Sequence, residues 1–319
     1  MVVAPVLATL LTLPAACALP HRKDLDDLSK VAAVRSTAAS VLLNYDSVRA
    51  NADARWSDST LAKVEGGPLL RIDAGAYLVS FRLSPDQPFE TTPLSGPGVV
   101  ASPRFGSYPL WFVAELPVPD AGVSRMSLFA RKSTTDPWRM MYGPEIAVDA
   151  TLPEFRTDDQ GAAVSVSPHD ADGVVMSPAR ACRDYAKVLQ ARSSPLSRTF
   201  ARDAFLEQMR EIQGAQAKLA YASFRQTWSI MPVRYALRLD DGGVLVFATL
   251  VRTDRYRVDP GGYLRWNGNT AAKAYLPHGV RHWARLRYDH QILMEIPPVG
   301  GGKPAVIGQY GGVVSGAGS

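Results

Sequence analysis

The sequence predicts an α+β protein of two similar units in tandem, each with N-terminal helices packed on a curved antiparallel sheet. Three observations predict it. Two hairpin patterns recur about 120 residues apart, each follows segments of helical periodicity, and a polar stretch separates them. At 319 residues the chain has room for about two domains of ~150 residues. Its 46% hydrophobic and 20% charged residues exclude wholesale disorder, collagen and a multi-span membrane protein.

The elements follow in order. Residues 1–27 read as a signal and tether. The first charged residue is Arg22, and residues 1–20 form an apolar run broken by Thr, Pro5, Pro14 and Pro20. That falls short of the ~20 clean apolar residues of a spanning helix and matches the apolar region of a secretory signal. Ala16-Cys17-Ala18 is a small-x-small exit, and Leu13-Pro14-Ala15-Ala16-Cys17 resembles the lipobox of bacterial lipoproteins. In that motif the Cys becomes the first mature residue and carries the lipid, so the resemblance makes Cys17 the lipidation site. Pro14 departs from it, standing where the motif has Leu. No Lys or Arg precedes the apolar run, which puts the true start upstream of Met1. The expectation is an extracytoplasmic protein, a cell-membrane lipoprotein or a secreted one, with the membrane as partner through the anchor. With Cys17 lipidated or removed, Cys182 has no partner for a disulfide, and its helical surroundings make it a small buried apolar residue. Arg outnumbers Lys 27 to 8 and Ala is abundant, the bias of a GC-rich, actinobacterial-type genome.

The first unit spans 28–150. Val31, Val34, Ala38, Val41, Leu42 and Tyr45 fall at three-and-four spacing and predict a helix over 28–50. A short helix near 58–65, capped by Ser57 or Asp58, stops before Gly66-Gly67. Residues 107–132 are a hairpin: an apolar strand, a Pro-Asp-Ala-Gly turn and a second apolar strand. Residues 151–177, rich in Asp, Pro, Ser and Gly, are the linker. The second unit, 178–319, repeats the plan with helices at 178–192 and 202–212, the latter stopping at Gly214. A strand over 219–230 then leads to a hairpin at 230–252 around Asp240-Asp241-Gly242-Gly243. Pro109 aligns with Pro232 and Phe129 with Phe247, offsets of 123 and 118 residues.

A helix pair followed by a long antiparallel sheet in about 120 residues resembles the cone-shaped fold of nuclear transport factor two and ketosteroid isomerase. More closely, the chain resembles uncharacterised actinobacterial secreted proteins and lipoproteins with two such cone-like units in tandem. The likeness rests on the lipobox-like exit, Val41-Leu-Leu-Asn-Tyr45, Leu61-Ala-Lys-Val-Glu65-Gly66-Gly67-Pro68-Leu69-Leu70, Trp111-Phe-Val113 and the ending from Ile296 to Gly308, and covers about residues 28–310. It implies a pocket between helices and concave sheet. Enzymes of that fold set a base opposite a Tyr or Asp donor there. Tyr77, Trp111, Trp228 and Tyr235 are the pocket-lining candidates, with Trp138 and Tyr221 beside them. Glu115 and Asp240 fall near hairpin turns, where a carboxylate is ordinarily solvated. No catalytic residue is assigned.

Other motifs assign little. His278 and His282 are four apart, but Pro277 and Gly279 argue against a helix, and His278, His282 and His290 read as satisfied or exposed rather than as metal ligands. Asp24, Asp26 and Asp27 lack the spaced oxygens of a Ca²⁺ site. Gly300-Gly-Gly302 and Gly311-Gly312 read as turn and tail, without a phosphate-loop signature, and no cofactor is called for.

Charge placement says more. The net charge of +5 conceals a division: residues 1–179 hold 15 Lys and Arg against 20 Asp and Glu, residues 180–319 hold 20 against 10. Strand-like alternation over 281–287 sets Arg281, Trp283, Arg285 and Arg287 on one face, with Arg252, Arg255, Arg257 and Arg265 near in sequence. Arg281, Arg285 and Arg287 are therefore candidates to contact an anionic envelope polymer, a lipid headgroup or an acidic protein. The bland alternative is that they face the acidic first unit or water. The mild overall charge implies no nucleic acid. The reading is a non-catalytic binding or scaffold module of the envelope. Its alternative is an envelope enzyme using an isomerase- or cyclase-like pocket in one unit.

Overall fold

A computed structural model describes residues 29–89, 96, 100–118, 121–147, 154–191, 193–268 and 270–319, so Cys17 and the rest of the leader lie outside the described residues. The first helix, α1 (Arg35–Asp53), buries Ala38, Leu42 and Tyr45 of the apolar stripe read from the sequence together with Ala52, but it begins later than expected, with Val31 in a short strand and Val34 exposed at the N-cap. A short turn of helix, α2 (Asp58–Leu61), starts where Ser57 accepts a bond from the Thr60 N–H. The Gly66-Gly67 pair does not end the helical region. It opens α3 (Gly67–Leu83), because Pro68 fits a first helical turn, where no amide donor is needed. Gly67 takes a φ of +58°, a conformation that favours glycine, and a Cβ on Gly66 would meet the end of the flexible Met141 side chain at 2.9 Å.

Small strands β1 (Lys30–Val31) and β3 (Arg104–Phe105) pair with each other. The first hairpin is β4 (Leu110–Val118) and β5 (Val123–Arg131), closing at Val118 opposite Val123. It is flanked by β2 (Val100–Ala101), β6 (Arg139–Tyr142) and β7 (Glu145–Ala147). The later helices are α4 (Pro178–Gln190) and α5 (Ala204–Gln216), which runs through Gly214 rather than stopping there. They precede β8 (Ala222–Ile230), β9 (Tyr235–Arg238) and β10 (Val244–Val258), then α6 (Ala271–Tyr275), β11 (Trp283–Ile296) and β12 (Ala305–Gly318). The Gly-rich ending read as a tail is thus a 14-residue strand. The α+β class holds: helices lie on a large antiparallel sheet.

The sheet has ten strands in the order β2-β4-β5-β7-β12-β11-β10-β8, with β6 on β5 and β9 on β10. Both halves therefore contribute strands to one sheet, through Gln309 of β12 opposite Glu145 of β7. Gly308 lets these strands approach, since a Cβ there would meet Ile146 at 2.6 Å. Residues 154–177, the described part of the linker read over 151–177, lie along the later strands, with Phe155 bridging Leu239, Ser165 bridging Leu237 and Val174 bridging Pro298.

Burial along β10 places the site. Val244 to Leu250 is buried on both faces, and from Val251 the strand alternates until Arg255 and Arg257 are exposed. One face of β10, carrying Val244, Val246, Ala248 and Leu250, packs under α4 and α5 with Tyr185 and Phe205. The other, with Leu245 and Phe247, packs on Trp111, Met126, Leu128 and Tyr142 of the first half. Each such large apolar side chain contributes roughly 1.5–3 kcal/mol by its burial. The first half's cover runs out toward the far end of β10 and β11, which leaves one face open there.

Candidate arginine groove

The open face is built by strand register. Arg255 of β10 lies opposite Arg225 of β8 on one side and opposite Arg285 of β11 on the other, so three arginines form one row across three strands. Neighbouring strands are ~4.8 Å apart, which keeps all three guanidiniums within reach of one ligand. Like charges directly opposite destabilise a sheet by roughly 0.2–1 kcal/mol per pair, so fold stability is no reason for this row. On the same face, in the next row outward, Arg257 stands opposite Trp283.

Around the row lies a groove of about 1220 Å³. Its walls carry Arg225, Arg255, Arg257, Arg281, Arg285 and His282, with the turn Pro260-Gly261-Gly262 at one end and no Asp or Glu in the lining. Arg255 donates to the Thr227 hydroxyl at 3.1 Å, and the Arg281 guanidinium lies 5.4 Å from the Tyr263 ring centre. Among the described residues none of these five arginines forms an ion pair. The arrangement can hold a multiply charged anion by forked, charge-assisted hydrogen bonds.

The sequence-predicted residues are distributed unequally. Arg281 and Arg285 line the groove. Arg287 stands one row inward and is paired with Asp289 at 3.3 Å, a carboxylate that Arg71 of α3 also takes at 2.7 Å. That contact between the halves joins a base of the first to an acid of the second, the reverse of what an acidic first unit suggested. Arg252, a near neighbour in sequence, points to the other face. It is buried, 3.6 Å from the Tyr288 ring centre and 3.3 Å from Asp254. Arg225 escaped sequence reading because nothing local marks it; only pairing with β10 brings it into the row.

The four aromatic candidates do not share a pocket. Trp111 and Tyr235 come from different halves and pack edge to face at 5.5 Å in the common core. Tyr235 also borders a groove of about 820 Å³ with Tyr108, Pro109, Tyr142 and Pro232, so the two aligned prolines meet there. Trp228 is buried on the face opposite the arginine row, where its indole N–H donates to Gln226 at 2.8 Å. Beside it His290 is buried against Phe205 and Trp228, not exposed, and its Nε2 has no hydrogen-bond partner among the described residues. Burial, reinforced by Arg252, lowers its pKa to about 3, which keeps it neutral. Cys182 is buried in α4, and burial raises its thiol pKa to about 12.

Tyr77 belongs to a buried charge cluster between α1, α3 and β12 and donates to Asp53 at 2.5 Å. There Arg49 donates at 2.7 Å to both Glu65 and Asp73 and lies 3.5 Å from Asp53. Tyr45 donates to Glu65 at 2.8 Å, and Tyr310 donates to Asp73 at 2.5 Å. Burial, then the Asp73 carboxylate, hold Glu65 well above the usual carboxylate range against the pull of Arg49. Among the described residues no group of three or more His, Cys, Asp or Glu has the arrangement of a metal site.

Comparison with known proteins adds the family. A family described as a domain of unknown function (DUF8094) matches residues 30–318. An uncharacterized lipoprotein of Streptomyces coelicolor is 29% identical over 229 residues, 68% of this chain and 66% of its own length, just under two thirds. An uncharacterized lipoprotein of Streptomyces avermitilis is 27% identical over 253 residues, 75% of this chain and 71% of its own. No solved structure matches the chain. The lipoprotein relatives imply membrane anchoring and place the chain outside the cytoplasm, as a lipoprotein or a secreted protein. No helix of the described residues is long and apolar enough to cross a membrane.

Proposed function

This chain belongs to the DUF8094 family, and from that premise we propose that it is a non-catalytic binding module of the cell envelope, whose arginine groove holds an anionic envelope component. The observation that carries the reading is the register row Arg225–Arg255–Arg285, exposed and free of carboxylates in a recessed site. Like charges brought side by side and left unneutralised are what an anion-binding surface needs. Cys17 supplies the membrane anchor in this proposal. We further propose that 28–150 and 178–319 are two cone-like units, supported by the repeated order of helices then sheet.

An enzymatic use of the groove beside Tyr235 has less support. Glu65 is the buried carboxyl on its wall; Arg49 and Tyr45 occupy its Oε1, and its Oε2 alone is left without a partner among the described residues.

The test is binding of inorganic polyphosphate by the purified chain at low and at physiological salt. The expected result is binding that weakens steeply with salt and is lost in the R225Q/R255Q/R285Q variant, with an unchanged circular dichroism spectrum. A variant that binds as the parent does would refute the assignment. For the anchor, Cys17→Ser is expected to release the protein from the membrane fraction of its host. Undiminished membrane partition would remove that part of the proposal.

A further inference from the structure

The arginines explain attraction for any anion, but they do not account for the aromatic side chains that accompany them. Trp283 is 44% exposed on the same face as the arginine row, opposite Arg257, and forms part of the groove wall. Tyr263 is 46% exposed with its ring beside Arg281. Tyr221, also exposed, stands just ahead of β8, and its carbonyl accepts from the Asp259 N–H next to the Pro260–Gly262 wall. Among the described residues the exposed large aromatics are Phe81 and these three. Burying an indole at this end would be favourable, so its exposure beside unpaired arginines marks a contact surface.

Resting on the anion-binding reading, we infer that the groove takes an anionic glycan chain: a sugar ring stacks on Trp283, with Tyr263 beside Arg281 just outside the wall, while carboxylate, phosphate or sulfate groups of the chain meet the Arg225–Arg255–Arg285 row.

Three features select this occupant. The volume of about 1220 Å³ exceeds the ~300–1,000 Å³ of ordinary small-molecule sites, which suits a length of polymer rather than a compact metabolite. The groove shape, with Trp283 in its wall and Pro260 the one exposed aliphatic side chain there, suits an entering chain better than a bilayer surface. A sugar ring also matches the mixture of groups. Its C–H faces pack on indole and phenol, and its hydroxyls and acidic groups accept from guanidinium, whereas polyphosphate has no face to stack.

The experiment measures binding of the full chain, at physiological salt, to four probes. These are oligogalacturonate and dextran sulfate as anionic glycans, inorganic polyphosphate of matched charge, and single-stranded oligothymidylate; anionic phosphatidylglycerol vesicles serve as a fifth surface. The expected result is tighter binding of both glycans than of polyphosphate. Trp283→Ala is expected to weaken glycan binding about three- to tenfold, with polyphosphate binding almost unchanged and Trp283→Phe restoring most of the loss. Tyr263→Ala gives an independent check in the same direction. The inference is overturned if Trp283→Ala leaves glycan binding intact, if it weakens glycan and polyphosphate equally, or if oligothymidylate or vesicles bind better than the glycans. If polyphosphate and glycans all fail to bind, the anion-binding reading fails as well, a different outcome from polyphosphate binding alone.

Discussion

The molecule uses arginine in two opposite ways. In the first half Arg49 is buried in a cluster with three carboxyls and three tyrosine hydroxyls, 2.7 Å from Glu65 and from Asp73, and each of the three acids accepts a bond from one of the tyrosines. In the second half Arg225, Arg255 and Arg285 share one row with no acid in the surrounding wall. The first arrangement sets its cation against its own acids inside the fold, and removing water makes each bond matter. The second is left open: Arg255 donates to the Thr227 hydroxyl, and no acid in the wall offsets the charge of the row. A buried, over-supplied cation site holds elements together, whereas an exposed, under-supplied one recruits a partner.

Four measurements test this contrast. The largest effect is expected for Arg49→Met. Losing the cation that Glu65 and Asp73 share should cost about 3–5 kcal/mol, read from urea unfolding. A loss well below 1 kcal/mol would show that the cluster does not hold the helices to the sheet.

Next comes acid sensitivity from His290, on the buried face behind the arginine row. Its folded pKa is about 3 against an ordinary 6.5, so between those values the unfolded chain binds a proton that the folded chain refuses. Stability should therefore fall as pH drops through that window, by up to about 1.4 kcal/mol per pH unit from this group. His290→Gln should flatten the slope. Glu65 acts in the opposite sense: its folded carboxyl keeps a proton above the ordinary 4.5, so its contribution declines as pH rises from there, and Glu65→Gln should remove that decline.

A smaller effect is expected for Tyr310→Phe, which deletes the bond from β12 to Asp73 of α3 and so one tie between the late strand and the early helices. The expected cost is about 1–3 kcal/mol, since it also leaves a buried carboxylate oxygen without its donor. The smallest change in stability belongs to R225Q/R255Q/R285Q. Relief of like-charge pairing should leave thermal unfolding unchanged or raise stability by roughly 0.2–1 kcal/mol per pair, while polyphosphate binding is lost. If the triple variant instead unfolds much more easily, the row is part of the structure and the contrast collapses.

Much of this was legible in the chain itself. The hairpins over 107–132 and 230–252, and the helices near 35 and 178, are local patterns whose period and turn residues need no distant partner. The face holding Trp283, Arg285 and Arg287 could likewise be read, because alternation along one strand is local. Helix α3 was hidden behind Gly66-Gly67, since a glycine pair looks like a stop until Met141 is seen packed against it. The strand β12 was hidden because Gly311, Gly312 and their neighbours lack the β-branched signal of a strand, although Gly308 is what lets it join β7. The Arg49 cluster was invisible for a different reason: charges on a helix usually face water.

The amino-acid order alone carried the α+β class, the two hairpins, the strand ahead of the second one, four of the helices, the charge division between halves and one edge of the arginine face. Only the tertiary structure decided that Arg225, Arg255 and Arg285, each thirty residues apart, stand in one row, that Arg252 turns inward, and that Trp111 and Tyr235 meet in a shared core. The reason is register. Side-chain alternation is set within a strand, but which residue stands opposite which is set by how strands from distant parts of the chain pair.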